Sequence, residues 1–438
     1  MATAPSVAHH GEWFGHPKGL YILFFSEMWE RFCYYGMRCI LIYYMMKQLM
    51  FAQEKASYVY GLYTSAAYFI PFFGGLIADK IIGQKKTVII GASIMAAGEF
   101  VLMVPSLFYL GLALMALGTG LFKPNVSTQV GTLYEPGDHR RDRAFNIFYM
   151  GINVGAILSP LICGTLGEVY GWKYGFMSAG IGLILGLIVY IWGQKYLATD
   201  LVTKKKEAAA PVESKKLSPE DYSKLFALFA LCLLNVVYWG AYEQQGNTLA
   251  VWVDSNTDRH IFGWLMPATW FQNFNPIMII AFIPLITWFW GWQDRRKKEP
   301  SSIGKMAMAC FMIGASFLVL IPGVWEFNRT GMASLWWLAI STSILTLSEV
   351  YLSPIGLSLV TKLAPARLVS TIMGVWMMSW SMGQLFCGYI GSFYEKMPKD
   401  RFFGMIAVMC FATGIVMMAL LKPLKKAIGH GQQKTVDV

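Results

Sequence analysis

The chain has 438 residues, 56% hydrophobic and 15% aromatic but only 14% charged, with a net charge of +11. A soluble domain carries about 25% charged residues, so a large soluble core is excluded and a polytopic helical membrane protein is indicated. The positive charge does not mark a nucleic-acid binder, because the basic residues are scattered through short segments between apolar runs.

Twelve apolar runs approach the roughly 20 residues that span a bilayer. They are expected at 19–49, 56–79, 87–104, 106–130, 144–167, 174–196, 223–252, 268–291, 303–321, 334–362, 367–391 and 402–421. With both termini placed in the cytoplasm, 25 of the 36 Lys and Arg residues fall at or beyond the cytoplasmic ends of the spans, 8 at or beyond the other ends and 3 (Arg31, Arg38 and Lys123) deeper inside spans. That asymmetry supports twelve spans with both ends inside. The start, 1–18, has no apolar stretch of signal-peptide type, so no cleaved leader is expected. All seven cysteines lie in the expected spans and none has metal-ligand spacing, which argues against a disulfide framework, a metal site or a cofactor. No histidine falls inside a span, so carboxylates must carry any proton switch.

The first run contains Ser26-Glu27-Met28-Trp29-Glu30-Arg31-Phe32-Cys33-Tyr34-Tyr35-Gly36-Met37-Arg38. On a helix, Glu27, Glu30, Arg31, Tyr34 and Arg38 share one face about 100° wide, with Met28, Trp29 and Phe32 off it. Charges inside a membrane are costly and face a bundle interior or a wet cavity. Two carboxylates beside two guanidiniums can exchange an Arg partner for a proton. A released Arg31 or Arg38 can grip an anion bidentately. Internal salt bridging of a helix is the plainer reading, but buried pairs stabilise poorly.

Glu99, near the outer end of the third run, is expected to reach the interface. In the fourth, Gly118-Thr119-Gly120-Leu121-Phe122-Lys123-Pro124-Asn125 is no phosphate loop, since no strand precedes it and no Gly-Lys-Ser/Thr follows. Its small residues suit close helix packing, and the mid-span Lys123 suits a carboxylate. The fifth carries Phe148-Tyr149-x-x-Ile152-Asn153-x-Gly155. Residues 198–222 form the only long polar stretch, rich in Lys, Ala and Glu, and read as a flexible cytoplasmic tether. It separates an expected six-helix bundle at 1–197 from a second at 223–438, the plan of a transporter.

In the second half, Trp239-x-x-x-Glu243-Gln244-Gln245-Gly246 opens a polar patch in the seventh run. Phe271-Gln272-Asn273-Phe274-Asn275-Pro276 begins the eighth, and Ser348-Glu349-x-x-x-Ser353-Pro354 breaks the tenth. Arg31, Arg38 and Lys123 in one half and Glu243 and Glu349 in the other suit a zwitterion with separated ends, such as a short peptide. Tyr34, Tyr35, Tyr68, Trp239 and Trp376 could receive side chains or an ammonium, although aromatic packing alone explains each as well.

Together these stretches resemble the proton-dependent oligopeptide transporter family of the major facilitator superfamily. The resemblance rests on Glu27-x-x-Glu30-Arg31-Phe32-x-Tyr34-Tyr35, the loop from Gly75 to Lys86, Gly120 to Ser127, Phe148 to Gly155, and Ser353 to Ser358 with Lys362 to Pro365. It implies an all-α membrane protein with twelve transmembrane helices in two six-helix bundles, without the extra inter-bundle helices of many bacterial members. It implies a proton-coupled symporter of di- and tripeptides and not an enzyme, working by alternating access as a monomer in the cell inner membrane. Arg31, Tyr34, Lys123 and Asn153 would hold the carboxylate end, and Glu349 and Asn275 the amino end. Tyr35, Tyr68, Trp239 and Trp376 would line the cavity, Glu27, Glu30, Arg31 and Glu243 would serve proton coupling, and Lys123 would pair with Glu349 when empty. Trp380 stands where relatives often have a small residue and is expected to reshape one pocket. It keeps open transport of another peptide-like or amino-carboxylate metabolite; a receptor or channel would need no titratable stripe.

Overall fold

The structure is a computed structural model that describes residues 11–135, 138–198, 219–363 and 368–432. Twelve long helices dominate it. In chain order they are α1 (Lys18–Tyr43), α2 (Gln53–Ile82), α3 (Gln84–Leu102), α4 (Pro105–Thr132), α5 (Arg140–Tyr170) and α6 (Trp172–Tyr196). These are followed by α7 (Leu225–Asn256), α8 (Ala268–Arg295), α9 (Ser302–Thr330), α10 (Leu335–Leu363), α11 (Val369–Gly391) and α12 (Lys399–Gln432). Among the described residues, nine are long and apolar enough to cross a membrane; the other three are α1, α3 and α11. Hydropathy misses α1 and α3 because they carry Glu27, Glu30, Arg31 and Arg38, and Lys85, Lys86 and Glu99. Every expected span is matched by a helix, most ends moving by a few residues and α12 running past its expected end at 421. Short ribbons complete the fold: Glu12–Trp13 with His16–Pro17, Thr257–Asp258 with Ala333–Ser334, and His260–Ile261 with Trp264–Leu265.

The helices gather into two compact units. The first holds Met1–Met50 and Ala66–Ala210, the second Phe51–Ser65 and Pro211–Val438. The N-terminal part of α2 thus belongs with the second unit. Ile70 turns shortly beyond the dividing line, and Pro71 withdraws an amide from the helical ladder there. The tether residues 199–218 lie outside the described residues.

In the first unit α3 packs on α4 and α6, while α1 lies against α5 and α6. Glycine permits the closest of these approaches. A Cβ at Gly155 would come 2.3 Å from the Met28 carbonyl oxygen and 3.0 Å from Arg31 Cβ, so the fifth-span motif ends in glycine to let α5 reach the charged segment of α1. A Cβ at Gly74 would stand 2.0 Å from the Gly120 carbonyl, whose helical donor is missing because Pro124 occupies position i+4. The other face of α1 is apolar, with Phe32 buried against Cys163 and Ala179 and Trp29 packed on that cluster.

In the second unit α9 packs on α10 and α12, α7 on α11 and α12, and α8 on α10. The N-terminal part of α2 is tied in by buried side chains. Gln53 Nε2 donates to Ser57 Oγ (2.8 Å) and to the Gly391 carbonyl (2.9 Å), and Ser57 Oγ donates to Asn247 Oδ1 (2.7 Å). The regular helix of α7 stops at Tyr242 and continues as a 3-10 turn, Glu243–Gly246, before resuming at Thr248. Such tight turns inside a span occur where the backbone serves a site. Pro354 sits inside α10, which runs on through it without the break its Ser-Pro sequence predicts.

Candidate functional site

The candidate residues divide between the two units. In the first, α1 carries Glu27, Glu30, Arg31 and Tyr34 on one face, and all four are buried, none more than 3% exposed. The spacing of the sequence therefore reads directly as geometry. Arg31 forks onto Glu30, with Nε on Oε2 and Nη2 on Oε1 at 2.7 Å, and Nε also lies 3.2 Å from Glu27 Oε1. Glu27 Oε2 is buried and takes no donor among the described residues. One guanidinium thus serves two carboxylates. The guanidinium also lies over the Tyr34 ring at 5.2 Å and the Tyr35 ring at 6.0 Å. Arg38 follows two turns on, half-buried.

Lys123 reaches the same unit's interior from α4. Its Nζ stands 4.5 Å from the centre of the Tyr68 ring on α2, a cation–π contact that joins two expected site residues. Asn153 on α5 is half-buried, and its amide donates to the Tyr149 carbonyl at 2.9 Å, one turn back on its own helix. That bond uses one of the two N–H donors of the amide group.

In the second unit, Glu349 on α10 is joined by Asn275 on α8, which donates to Oε2 at 3.2 Å and to Thr346 Oγ1 at 3.0 Å. Tyr242 donates to the same Oε2 at 2.5 Å. Tyr242 is one of the unassigned residues between Trp239 and Glu243, and motif spacing gives no sign that it touches Glu349. The signal available is weak: it lies three residues after an indole and one before an acid. Glu243 is buried at the head of the 3-10 turn, next in sequence to Tyr242.

Trp239 and Trp380 pack together with ring centres 4.7 Å apart, and Tyr242 meets Trp239 edge-on at 5.1 Å. The extra indole at 380 therefore fills space beside Trp239. Trp376 is placed differently. It is 1% exposed and lies on the backbone of Gly356, where a Cβ would come 2.4 Å from its ring. In this structure it is a packing residue of the α10–α11 contact and does not line an open wall.

Glu99 corrects another expectation. It is fully buried and does not reach an interface; Cys33 Sγ donates to its Oε1 at 3.2 Å. The reason is that α3 packs on both α4 and α6, with Gly180 of α6 close enough that a Cβ there would touch Glu99 Cβ at 3.2 Å. A helix that is apolar nearly all round does not reveal which face is inward.

Two bundles of transmembrane helices with buried charge in the first and a donor-clad acid in the second define a transporter of major facilitator fold. The chain belongs to the POT family: the family model matches residues 85–206 and 195–409, in two segments that meet at the tether. It is 30% identical to the di-/tripeptide transporter of Lactococcus lactis subsp. cremoris, over 95% of this chain and 97% of that one. That alignment runs over 486 positions, more than the 438 residues of this chain, so the relative carries additional sequence. A crystal structure of the peptide transporter POT in complex with sulfate matches at 33% identity with a TM-score of 0.87, covering 95% of this chain and 97% of that one. A POT-family transporter in complex with 5-aminolevulinic acid matches at 26% identity and a TM-score of 0.84, covering 93% and 97%.

Proposed function

We propose that this protein is a proton-coupled symporter that imports di- and tripeptides by alternating access. The observation that carries the reading is the opposite chemistry of the two groups of residues. The first unit offers cations on aromatic rings, Arg31 over Tyr34 and Lys123 over Tyr68, with the second N–H of the Asn153 amide. These suit the carboxylate end of a peptide. The second offers Glu349 with Asn275, which suits a primary ammonium. The Lactococcus relative, named for di- and tripeptides, supports the same substrate class.

Proton coupling follows from the shared guanidinium. When a substrate carboxylate draws Arg31 away, Glu27 and Glu30 lose their cation in a buried place. An uncompensated buried carboxylate is far more costly than its acid form, so a proton takes the place of the guanidinium. When the proton leaves, Arg31 returns and the peptide loses its anchor. Glu243, buried at the break in α7, is a further carboxyl suited to this cycle. The loop charges favour both termini in the cytoplasm and a multi-pass position in the cell inner membrane, and one monomer suffices, since one chain supplies every residue invoked.

The test is uptake into proteoliposomes under an inward proton gradient, with labelled dialanine and trialanine compared with free alanine. Gradient-driven accumulation of the peptides is expected; its absence for both sinks the reading. A second reading is transport of an amino-carboxylate metabolite. It is favoured by the indole of Trp380 filling space beside Trp239 and by the relative that binds 5-aminolevulinic acid. Uptake of that acid without uptake of either peptide would establish it.

A further inference from the structure

Glu349 accepts two hydrogen bonds, and both fall on the same oxygen. Tyr242 and Asn275 donate to Oε2, and among the described residues no side chain donates to Oε1. Two donors on one oxygen fix the plane of a carboxylate as well as its position. Both donors are neutral, so they stabilise the charge without cancelling it. An Arg or Lys in their place would form an internal ion pair and compete with an incoming ammonium.

Tyr242 is itself held in one orientation. Its ring stacks on Tyr238 one turn earlier, with centres 6.2 Å apart and planes 16° apart, and its edge meets Trp239. Tyr238 is anchored in turn, its hydroxyl 2.9 Å from the hydroxyl of Ser348, the residue next to Glu349. Ser348 Oγ donates to the Leu345 carbonyl, so it accepts from Tyr238. Two phenols on successive turns of α7 therefore dock on two adjacent residues of α10. The regular helix of α7 ends directly after the second, at the 3-10 turn.

We propose that Tyr242 is a positioning residue for substrate recognition: its hydroxyl, with the Asn275 amide, fixes the Glu349 carboxylate so that Oε1 meets the primary ammonium of the substrate. The proposal rests on the reading of Glu349 as the partner of the substrate's amino end. It makes Tyr242 a determinant of selectivity for a free amino group, acting through Glu349 and not by contact with the substrate.

The experiment is competition against labelled dialanine uptake by two inhibitors, dialanine and propionylalanine, the same skeleton without the amino group. Tyr242→Phe keeps the stacked ring and removes only the hydroxyl. It is expected to raise the inhibition constant of dialanine about tenfold, the weight of one hydrogen bond to a charged group, and that of propionylalanine less than about twofold. In a Glu349→Gln background the same change is expected to add less than about twofold to the dialanine value. Asn275→Leu, which removes the second donor, should show the same selective loss, and it decides the matter if Tyr242→Phe does not reach the membrane. An equal shift for both inhibitors, no shift for either, or a full tenfold effect on top of Glu349→Gln overturns the proposal. A wild-type protein that takes up no peptide removes the transport reading and this proposal together. Wild-type uptake with an unchanged inhibitor ratio in the variants removes the role of Tyr242 alone.

Discussion

The two units solve the burial of charge in opposite ways. In the first, charge is set against charge: Arg31 is shared by Glu30 and Glu27, and Lys123 rests on an aromatic face. In the second, Glu349 is clad in neutral donors, a phenol and an amide, beside a pair of indoles. A network of opposite charges is balanced internally and changes state only by exchanging a partner, which is what coupling requires. A carboxylate whose donors are neutral has no internal counter-ion to displace, which suits it to meet an incoming cation. On the proposed function, similar residue types, glutamates in a membrane, take different work according to the charge of their donors.

The largest effects test that contrast directly. Arg31→Ala strands two buried carboxylates and should cost about 3–5 kcal/mol in stability, read as a fall in the thermal midpoint in detergent. Glu349→Gln leaves neutral donors facing a neutral acceptor and should cost about 1 kcal/mol or less, while dialanine affinity collapses. Equal losses of stability in the two variants would erase the distinction. Next in size, Glu30→Gln should abolish accumulation against a gradient while counterflow exchange of labelled dialanine persists. Accumulation that survives the substitution shows that Glu30 is not essential to coupling.

A smaller effect is expected at the indole pair. Trp380→Ala opens space beside Trp239 without touching the donors of Glu349. Competition by Phe-Ala relative to Ala-Ala should improve by about three- to tenfold, the range of one or two methylenes' worth of apolar contact. An unchanged ratio places that side chain elsewhere.

The smallest effect lies outside the membrane and uses a neutral pairing like that of the second unit. His16 in the N-terminal hairpin faces the Tyr134 hydroxyl at 2.8 Å, with Arg140 bonded to Glu12 and Asp138 nearby. Burial, helped by Arg140 and Arg143, holds the imidazole below its ordinary 6.5. A base whose folded-state value is lowered contributes stability above its unfolded value and loses it as pH falls through the folded one. Hydrogen exchange over residues 11–17, corrected for intrinsic rate, should therefore be slow at pH 7.5 and faster at pH 5.5. Equal protection at both would show that the ring does not hold the hairpin.

Much of this molecule is written locally. The loop asymmetry of Lys and Arg orders twelve spans, because each short loop reports its side of the membrane without reference to distant contacts. The α1 stripe is equally local: residues at i, i+3, i+4 and i+7 share a helix face wherever that helix packs. Proline and glycine also announce themselves, Pro354 inside α10 and Gly83 with its positive φ of 84° at the start of α3.

What escaped local reading is the choice of face and of partner. Glu99, Trp376 and Tyr242 sit in membrane helices whose packed and lipid-facing sides both carry apolar residues, and hydropathy cannot tell core from cavity or lipid. Tyr242 meets Glu349 across 107 residues of sequence because α7 stops being regular one residue later and α10 packs beside it. The sequence alone determined where the charges are and which helices carry them. Only the tertiary structure decided which oxygen each donor reaches, because that depends on the rotation of packed helices about their own axes, a quantity no single helix encodes.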